Sequence, residues 1–235
     1  MIFSYLFPGK QIKLCVKPKH IVIIPDGNRR YAKKNLLPYQ FSYRKAKDTL
    51  KQIISVCNKE GIPYITFWGF STENWKRSDN EKNILFELLD KTLTEYLEKL
   101  PQFRIIHIGR KDRLPEQIIT KLNKLEKLTS KTLGLTLVLA LDYGGQDELL
   151  RAMSKLKTKK NITAKDIEEQ LDTKDLPNPD LIIRTSGEKR LSGIYPWQSA
   201  YSELYFCNCY FPEFNKQELY KALFNYQNRK RNFGK

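Results

Sequence analysis

The chain has 235 residues and a formal net charge of +16. This length suits a single α/β domain, and 40% hydrophobic with 12% aromatic residues excludes a disordered chain. The excess of lysine and arginine predicts an anionic partner, which is a nucleic acid, an anionic lipid surface or a phosphorylated metabolite, unless it only reflects a lysine-rich composition.

Short apolar runs alternate along the chain with stretches of helical periodicity. The predicted strands are Ile21 to Ile24, Tyr64 to Phe70, Phe103 to Ile108, Leu135 to Leu141, Asp180 to Ile183 and Glu203 to Phe206. The predicted helices are one that ends at Gly61, a long amphipathic one from Ile84 to Leu97, and others at about Glu116 to Leu128, Asp147 to Lys157, Thr163 to Leu171 and Lys216 to Arg229.

This alternation predicts the fold class. We expect an N-terminal segment over residues 1–19 and a single α/β domain over residues 20–235. The domain should hold a central, mostly parallel six-stranded sheet that helices cover on both faces. Ligands of such sheets bind at the carboxyl ends of the strands, so the loops that follow the strands are the candidates for chemistry.

The first candidate loop follows the first strand and reads PDGNRRYAKK over residues 25–34. Gly27 permits a tight turn that presents backbone amides, and Arg29 and Arg30 can bind phosphate oxygens. These features predict a phosphate site with one carboxylate, Asp26. The alternative is an ordinary Asp-Gly turn before a basic, solvated helix.

The second loop follows the second strand and reads FSTENWKRS over residues 70–78. Ser71 and Asn74 can bind a diphosphate or relay a proton, and Arg77 adds a positive charge. The alternative is a helix cap beside core aromatic residues. So many polar and aromatic groups at one strand end favour a ligand that is half charged and half apolar.

The third loop follows the fifth strand and reads RTSGEKRLSG over residues 184–193. Its three cations, three hydroxyls and two glycines predict a second anion site, although an RNA-contacting loop has the same composition. Two phosphate sites around one carboxylate predict that two phosphorylated substrates are brought together.

Other residue types narrow the chemistry. The sequence has no DDxxD pair, and of its two histidines His20 precedes the first strand while His107 lies inside the third, where a core imidazole is favoured. The cysteines form no CxxC pair, and Cys207-Asn208-Cys209 is a poor spacing for zinc. A single Mg²⁺ held by one or two carboxylates and substrate phosphates fits better.

The cysteine usage and the amino terminus also predict a location. The first eight residues are apolar but lack a basic segment, and no apolar run approaches the ~20 residues of a membrane span. We expect a reduced, cytoplasmic protein with neither a secretion signal nor a transmembrane segment.

Taken in this order, the loops resemble the cis-prenyltransferases, the family of undecaprenyl diphosphate synthase. The matching motifs span nearly the whole chain: HIVIIPDGN at 20–28, FSTENW at 70–75, YGG at 143–145, DLIIRTSGE at 180–188 and ELYF at 203–206. The resemblance implies a homodimeric enzyme that adds isopentenyl diphosphate to an allylic diphosphate and forms cis double bonds. It also implies an apolar tunnel for the prenyl chain beside Trp68, Gly69 and Leu135.

The resemblance assigns roles to individual residues. Asp26 would be catalytic and hold Mg²⁺ on the allylic diphosphate, Asn74 would be catalytic near the proton acceptor, and Glu203 matches a second carboxylate associated with metal. The substrate-binding residues would be Gly27, Asn28, Arg29, Arg30, Tyr31, Ser71, Thr72, Glu73, Trp75, Arg77, Arg184, Arg190, Leu191 and Ser192.

The sequence also departs from the family pattern. Tyr39 and Ser42-Tyr43 replace an Arg and a Gly-His pair, Lys189 stands where a bacterial enzyme often has His, and residues 232–234 read NFG instead of Arg-x-Gly. These changes leave two alternatives open: a short-chain or irregular, head-to-middle coupling of dimethylallyl diphosphate, and a non-catalytic partner subunit. The apolar product would suit peripheral membrane association, and no motif predicts nucleic-acid binding.

Overall fold

The structure is a computed structural model that describes residues 14–230. The strands of this part are β1 (His20–Ile24), β2 (Tyr64–Ser71), β3 (Arg104–Ile108), β4 (Thr136–Tyr143), β5 (Leu181–Arg184) and β6 (Glu203–Phe206). The helices are α1 (Asn28–Lys34), α2 (Tyr39–Glu60), α3 (Asp79–Glu98), α4 (Glu116–Thr129), α5 (Gly145–Lys155), α6 (Ala164–Glu168) and α7 (Lys216–Gln227).

The six strands form one sheet in the order β3-β4-β2-β1-β5-β6, and every neighbouring pair is parallel. The strands β2, β3 and β4, which follow β1 in the sequence, lie on one side of β1 in the sheet. The last two strands, β5 and β6, lie on its other side. Ile24 of β1 is thereby aligned with Arg184 of β5. The strand order reverses at this pair, and sheets of this kind bind ligands in the crevice beyond such a point.

Both faces of the sheet are buried, which explains the continuous apolar run of β1. Ile21 and Ile23 belong to the larger core cluster on one face, and Val22 and Ile24 belong to the smaller cluster on the other. Successive side chains of a strand point to opposite faces, so a central strand covered on both sides needs apolar residues throughout. The predicted fold class is confirmed.

The element boundaries differ from the predictions in a few places. The helix predicted over Thr163 to Leu171 covers only Ala164–Glu168, and Thr163 caps it by accepting a hydrogen bond from the Asp166 amide. β4 continues to Tyr143, two residues beyond its predicted end. His20 is the first residue of β1 and does not precede it. The substituted NFG positions and residues 1–13 lie outside the described residues.

The two histidines are both buried, as predicted for His107. The His107 ring is within 3.0 Å of the Leu141 carbonyl oxygen, and the His20 ring contacts the Pro177 carbonyl and the Thr66 hydroxyl. Neither side chain lines the cavity described below. Among the helices of residues 14–230, none combines the length and the apolar character needed to cross a bilayer.

Candidate active site

A cavity of about 940 Å³ opens at the carboxyl ends of β1, β2 and β5, where the three predicted loops meet. Four of the predicted site residues do not line it, namely Tyr31, Thr72, Trp75 and Leu191, and Glu203 is considered below. The twelve that line it are Asp26, Gly27, Asn28, Arg29, Arg30, Ser71, Glu73, Asn74, Arg77, Arg184, Arg190 and Ser192.

Asp26 lies at the centre of a charge cluster in the mouth of this cavity. Its Oδ2 accepts a hydrogen bond from Arg184 Nη2 at 2.9 Å, and its Oδ1 accepts one from Arg30 Nη2 at 3.1 Å. Arg184 is buried and also donates to Ser192 Oγ and to the Arg190 carbonyl. The first and third loops, which are far apart in sequence, therefore form one cation-rich site.

The backbone at Asp26 is held by two further segments. The Asp26 carbonyl accepts hydrogen bonds from Thr185 Oγ1 at 2.7 Å and from the Phe211 amide at 3.0 Å. Gly27 follows with φ of +97°, and a Cβ at this position would stand 2.6 Å from the Tyr210 ring. Because the left-handed conformation favours glycine, this turn requires Gly27, whose amide donates to Asp26 Oδ1.

The arginines keep Asp26 ionised. Burial opposes the charge of this carboxyl group, but the hydrogen bonds and positive charges of Arg184 and Arg30 outweigh burial and hold the pKa of Asp26 below its usual range. Asp26 is therefore a carboxylate at neutral pH and can act as a ligand to a cation.

Three buried polar atoms around this turn have no hydrogen-bond partner among the described residues: Asn28 Oδ1, Arg184 Nε and Ser186 Oγ. Ser186 also has φ of +78°, an uncommon conformation for a residue other than glycine. Buried polar groups are normally paired, so this cluster indicates a ligand that supplies the missing partners. The guanidinium N–H suits a phosphate oxygen, and the amide oxygen suits a cation or water.

The second loop folds as a 3-10 turn over Thr72–Lys76. The Ser71 amide donates to Asn74 Oδ1 at 3.1 Å, and the two residues form a reciprocal capping box. Thr72 Oγ1 donates to Glu73 Oε1 at 2.8 Å. The loop is thus both a cap and part of the cavity wall, because Ser71 and Asn74 face the cavity.

Trp75 supports this loop from behind. Its indole N–H donates to Asp142 Oδ1 at 2.9 Å, and its ring packs against Phe70 and Phe86. Arg113 holds the same carboxylate with two of its nitrogens. The structure therefore places Trp75 as an anchor of the loop and not in the cavity wall, where a substrate contact was predicted.

Two positions that depart from the family pattern lie at the mouth of the cavity, Tyr39 and Tyr43. The Tyr43 hydroxyl donates to Glu81 Oε1 at 2.8 Å, and burial together with this bond raises the pKa of Tyr43. Glu81 also binds Arg77 at 3.0 Å and Arg29 at 3.7 Å. Tyr43 therefore joins a network that holds two of the predicted phosphate-binding arginines.

Glu188 is a site residue that sequence reasoning missed. Its Oε2 accepts from Arg190 at 2.6 Å and its Oε1 from Arg30 at 2.9 Å, and these bonds lower the pKa of Glu188. Glu188 thus joins a cation of the third loop to one of the first. Its place inside the RTSGEKR segment was the only signal, because the partnership with Arg30 forms across 158 residues.

The predicted second metal ligand, Glu203, does not reach this site. It is the first residue of β6, whereas Phe206, the last, is aligned with Arg184. Glu203 therefore lies about 10 Å toward the other end of the sheet, where its Oε2 accepts from Arg229 Nη1. Within one chain Asp26 and Glu203 do not share an ion. The ELYF motif identified the strand correctly but could not show which end faces the site.

Apolar side chains from β2, β4, α2 and α3 form the inner part of the cavity. Its wall follows α3 from Leu85, near the mouth, to Tyr96. At 1.5 Å per residue this wall is about 16 Å long. A linear apolar chain attached to a group bound at Asp26 can therefore extend along α3.

Two of the three residues predicted beside the tunnel line this cavity. Trp68 and Gly69 do so, but Leu135 does not and is buried in the core just before β4. The neighbours on the same face of β4, from Leu137 to Leu141, take its place. Leu135 has the right periodicity but lies beyond the inner end of the cavity.

Comparison with known proteins shows the family. The sequence profile of the prenyltransferase family of undecaprenyl diphosphate synthase matches residues 24–234. An isoprenyl transferase of Clostridium tetani is 43% identical over 234 residues, which cover 95% of this chain and 92% of that protein. A chloroplastic (2Z,6Z)-farnesyl diphosphate synthase of Solanum lycopersicum is 41% identical over 227 residues, covering 92% of this chain and 79% of that protein.

Two solved structures of related enzymes have a similar fold. Lavandulyl diphosphate synthase from Lavandula x intermedia, in complex with dimethylallyl diphosphate, superposes with a TM-score of 0.88 at 32% identity, over 93% of this chain and 99% of that one. A probable undecaprenyl diphosphate synthase from Campylobacter jejuni gives 0.79 at 34% identity, over 94% and 100%. The predicted resemblance is confirmed, and the chain belongs to the undecaprenyl diphosphate synthase family of prenyltransferase enzymes.

Proposed function

We propose that the protein condenses isopentenyl diphosphate with an allylic prenyl diphosphate to give a cis-polyprenyl diphosphate, with Mg²⁺ as its cofactor. The observation that carries the proposal is the position of the Asp26 charge cluster at the mouth of a long apolar cavity. A prenyl diphosphate has the same division between an anionic head and an apolar chain. The relatives named isoprenyl transferase support the same class of reaction.

The first loop would hold the allylic diphosphate. Arg29 and Arg30 supply positive charge at the mouth, and Asp26 with the unpaired Asn28 Oδ1 supplies the oxygen ligands that Mg²⁺ prefers. Asp26 needs no deprotonation before it binds a cation, because its pKa is already low. When bound, Mg²⁺ would offset the charge that develops on the departing diphosphate.

The third loop would hold isopentenyl diphosphate. Arg184 is oriented by Asp26 and Ser192 and keeps an unpaired Nε, while the Arg190 side chain is 60% exposed and can turn toward an incoming anion. The two diphosphates would then lie on either side of one Asp26–Arg184 pair. This arrangement would bring the alkene next to the allylic carbon, which is the main requirement of the reaction.

Asn74 would act in the proton loss that follows carbon–carbon bond formation. It lies in the cavity wall, and the Ser71 amide fixes its Oδ1. An amide oxygen is a weak base, so we assign Asn74 to orienting the group that takes up the proton. An anionic diphosphate in the same cavity is the stronger acceptor.

A single coupling of two short diphosphates is the second candidate, because the lavender enzyme of similar structure is named for lavandulyl diphosphate and was solved with dimethylallyl diphosphate. The cavity favours elongation. An isoprene unit adds about 4–5 Å to an extended chain. The wall along α3, about 16 Å long, therefore accommodates three or four units, whereas the two units joined by one short coupling, about 8–10 Å long, would leave room for at least one more.

The test incubates purified full-length protein and Mg²⁺ with labelled isopentenyl diphosphate, alone and with dimethylallyl, geranyl or farnesyl diphosphate, and sizes the products. We expect chains longer than a single coupling from at least one allylic primer, and a much lower yield of them with Asp26→Asn. A product from dimethylallyl diphosphate alone would establish the irregular reaction instead. If no combination gives a prenyl product, the chain is a non-catalytic subunit.

The length of the cavity can be tested separately. Leu89→Phe adds bulk to the cavity wall on α3, whereas Leu97→Phe changes the same helix at a residue that packs against the core and does not line the cavity. We expect the first variant to shorten the products and the second to leave their length unchanged. Equal product lengths in both variants would mean that the chain does not run along α3.

We also propose that two copies associate through the open edge of the sheet. β6 is an edge strand, and all four of its residues are only half-buried in the single chain. Unpaired edges of this kind are normally covered. Sedimentation of the full chain should show a dimer, and a fully active monomer at assay concentration would refute this.

A further inference from the structure

Two cysteines and a glutamate converge behind the third loop. Cys207 and Cys209 follow β6, and α7 places Glu218 beside them. The two Sγ atoms are 2.6 Å apart, and Cys207 Sγ is 3.6 Å from Glu218 Oε2. Among the described residues this is the single group of three such ligand atoms that lie within 4.8 Å of one another.

We propose that Cys207, Cys209 and Glu218 bind a thiophilic divalent cation, of which Zn²⁺ is the best fit. Two thiolates and one carboxylate are ligands that Zn²⁺ accepts, and water would complete the tetrahedron. None of the three residues lines the cavity, so this site is separate from the diphosphate site. The CxC spacing alone was a poor indication of zinc, because the third ligand comes from a helix.

The site must open slightly to accept the ion. With Zn–S bonds of about 2.3 Å and tetrahedral angles, the two sulfur atoms would be about 3.8 Å apart. Cys209 is only half-buried, so its side chain has room to turn. Two uncharged thiols do not attract each other strongly at this short distance. Two thiolates that bind the same cation would both be stabilised by it.

The charges around the pair support a cation. Cys207 Sγ lies 2.6 Å from Cys209 Sγ and 3.6 Å from Glu218 Oε2, so three groups that are negatively charged when deprotonated lie around one point. A divalent cation would remove the repulsion between the deprotonated groups and displace the thiol protons. Lys221 lies 2.6 Å from Glu218 and would balance the remaining negative charge.

The site is joined to the third loop through the backbone. The Cys207 amide donates to the Arg184 carbonyl, the Ser186 amide donates to the Cys209 carbonyl, and the Gly187 amide donates to the Cys207 carbonyl. An ion that fixes the CxC turn would therefore also fix the backbone of the loop that carries Arg184. Metal binding itself does not depend on the proposed reaction.

The test titrates the reduced full-length protein with Co²⁺ and then Zn²⁺. We expect visible absorption bands of tetrahedral, thiolate-bound cobalt at one ion per chain, with displacement by one equivalent of Zn²⁺. Cys209→Ser should abolish the thiolate band and Glu218→Gln should weaken binding at least tenfold. The matched control Cys15→Ser, a change of an exposed cysteine elsewhere, should bind as the parent does.

Three results would overturn the site. They are an absence of thiolate-bound cobalt, equal binding by Cys209→Ser and the parent, and loss of two titratable thiols under mild oxidation in a protein that binds no metal, which would make the cysteines a redox pair. Zn²⁺ binding should persist in Asp26→Asn. If the parent chain binds zinc but forms no prenyl product from any substrate combination, the proposed reaction is wrong and this site is unaffected.

Discussion

Asp26 and Asp142 have the same side chain at the same edge of the sheet but different surroundings. Each lies at the carboxyl end of a parallel strand and is paired with an arginine, Arg184 or Arg113. Asp142 is fully buried, and both of its oxygens accept hydrogen bonds, one of them also from Trp75. The Asp26 side chain is 26% exposed, faces the cavity and has unpaired polar atoms around it.

The difference shows how a binding site can be told from a structural ion pair. A carboxylate whose partners are all present contributes to the stability of the fold, and removing it leaves buried donors unpaired. A carboxylate next to unpaired donors and acceptors is prepared for a ligand that is yet to bind. Residue type and pairing with arginine are the same in the two regions, so burial of the carboxylate and the unpaired polar atoms around it separate them.

The largest expected effect is on turnover in Asp26→Asn. This change keeps the shape of the side chain but removes its charge, so we expect kcat/KM to fall about 10²–10³-fold, as when one preorganised electrostatic contact is lost. The melting temperature should also fall, because Arg184 is buried and loses its charged partner. Steady-state kinetics and thermal unfolding check both, and activity within a few-fold of the parent would contradict the role of Asp26.

A second prediction concerns His20, which like Asp142 has a complete set of partners. Burial is the main reason that the pKa of His20 is lowered to about 4. The Pro177 carbonyl can only accept, so Nδ1 carries the proton and Nε2 accepts from Thr66. Protonation is therefore disfavoured in the fold and ordinary in the unfolded chain.

Stability should follow the sign of this shift. The contribution of His20 to the free energy of unfolding is fully present above the unfolded pKa of about 6.5. The free energy of unfolding then falls by about 2 kcal/mol between pH 6.5 and pH 5, before it levels off near the folded pKa. Urea unfolding at a series of pH values measures the slope. His20→Gln should remove most of the dependence of the free energy of unfolding on pH, and His107→Gln should leave most of it in place. An unchanged slope in His20→Gln would mean that other groups cause the pH dependence.

The third prediction concerns Asp142, where we expect the larger effect on stability and the smaller effect on turnover. Asp142→Asn weakens the pairing with Arg113, and we expect a loss of about 1–3 kcal/mol in the free energy of unfolding. Turnover should fall less than in Asp26→Asn, because Trp75 only anchors the second loop. If Asp142→Asn abolished turnover with an unchanged free energy of unfolding, the contrast between the two aspartates would be wrong.

The smallest expected effect tests the unpaired atoms directly. Inorganic diphosphate with Mg²⁺, at ten times its dissociation constant, should stabilise the parent by about 1.4 kcal/mol. This corresponds to a rise of about 3–6 °C in the melting temperature. Asp142→Asn should show a similar rise from its own baseline and Asp26→Asn should show almost none. Equal rises in all three proteins would place the anion elsewhere.

Sequence predicted the strands to within two residues and located the three loops, because apolar periodicity and glycine turns are local features. It missed Glu188 as a site residue, since its bond to Arg30 forms only when the first and third loops meet. The resemblance implied that Leu135 lies beside the tunnel, but a motif does not show how far the cavity extends. Glu203 was assigned from the ELYF motif, which does not show which end of β6 faces the site.

The sequence by itself determined the fold class, the family and the basic loops at the carboxyl ends of the strands, because each depends on residues that are close together in the chain. Only the tertiary structure decided which charges are satisfied and which await a ligand. It showed that Tyr43 joins Glu81 and that Trp75 lies behind its loop. These facts depend on contacts between distant segments, and hydrogen-bond partners across the sheet leave no pattern in the local sequence.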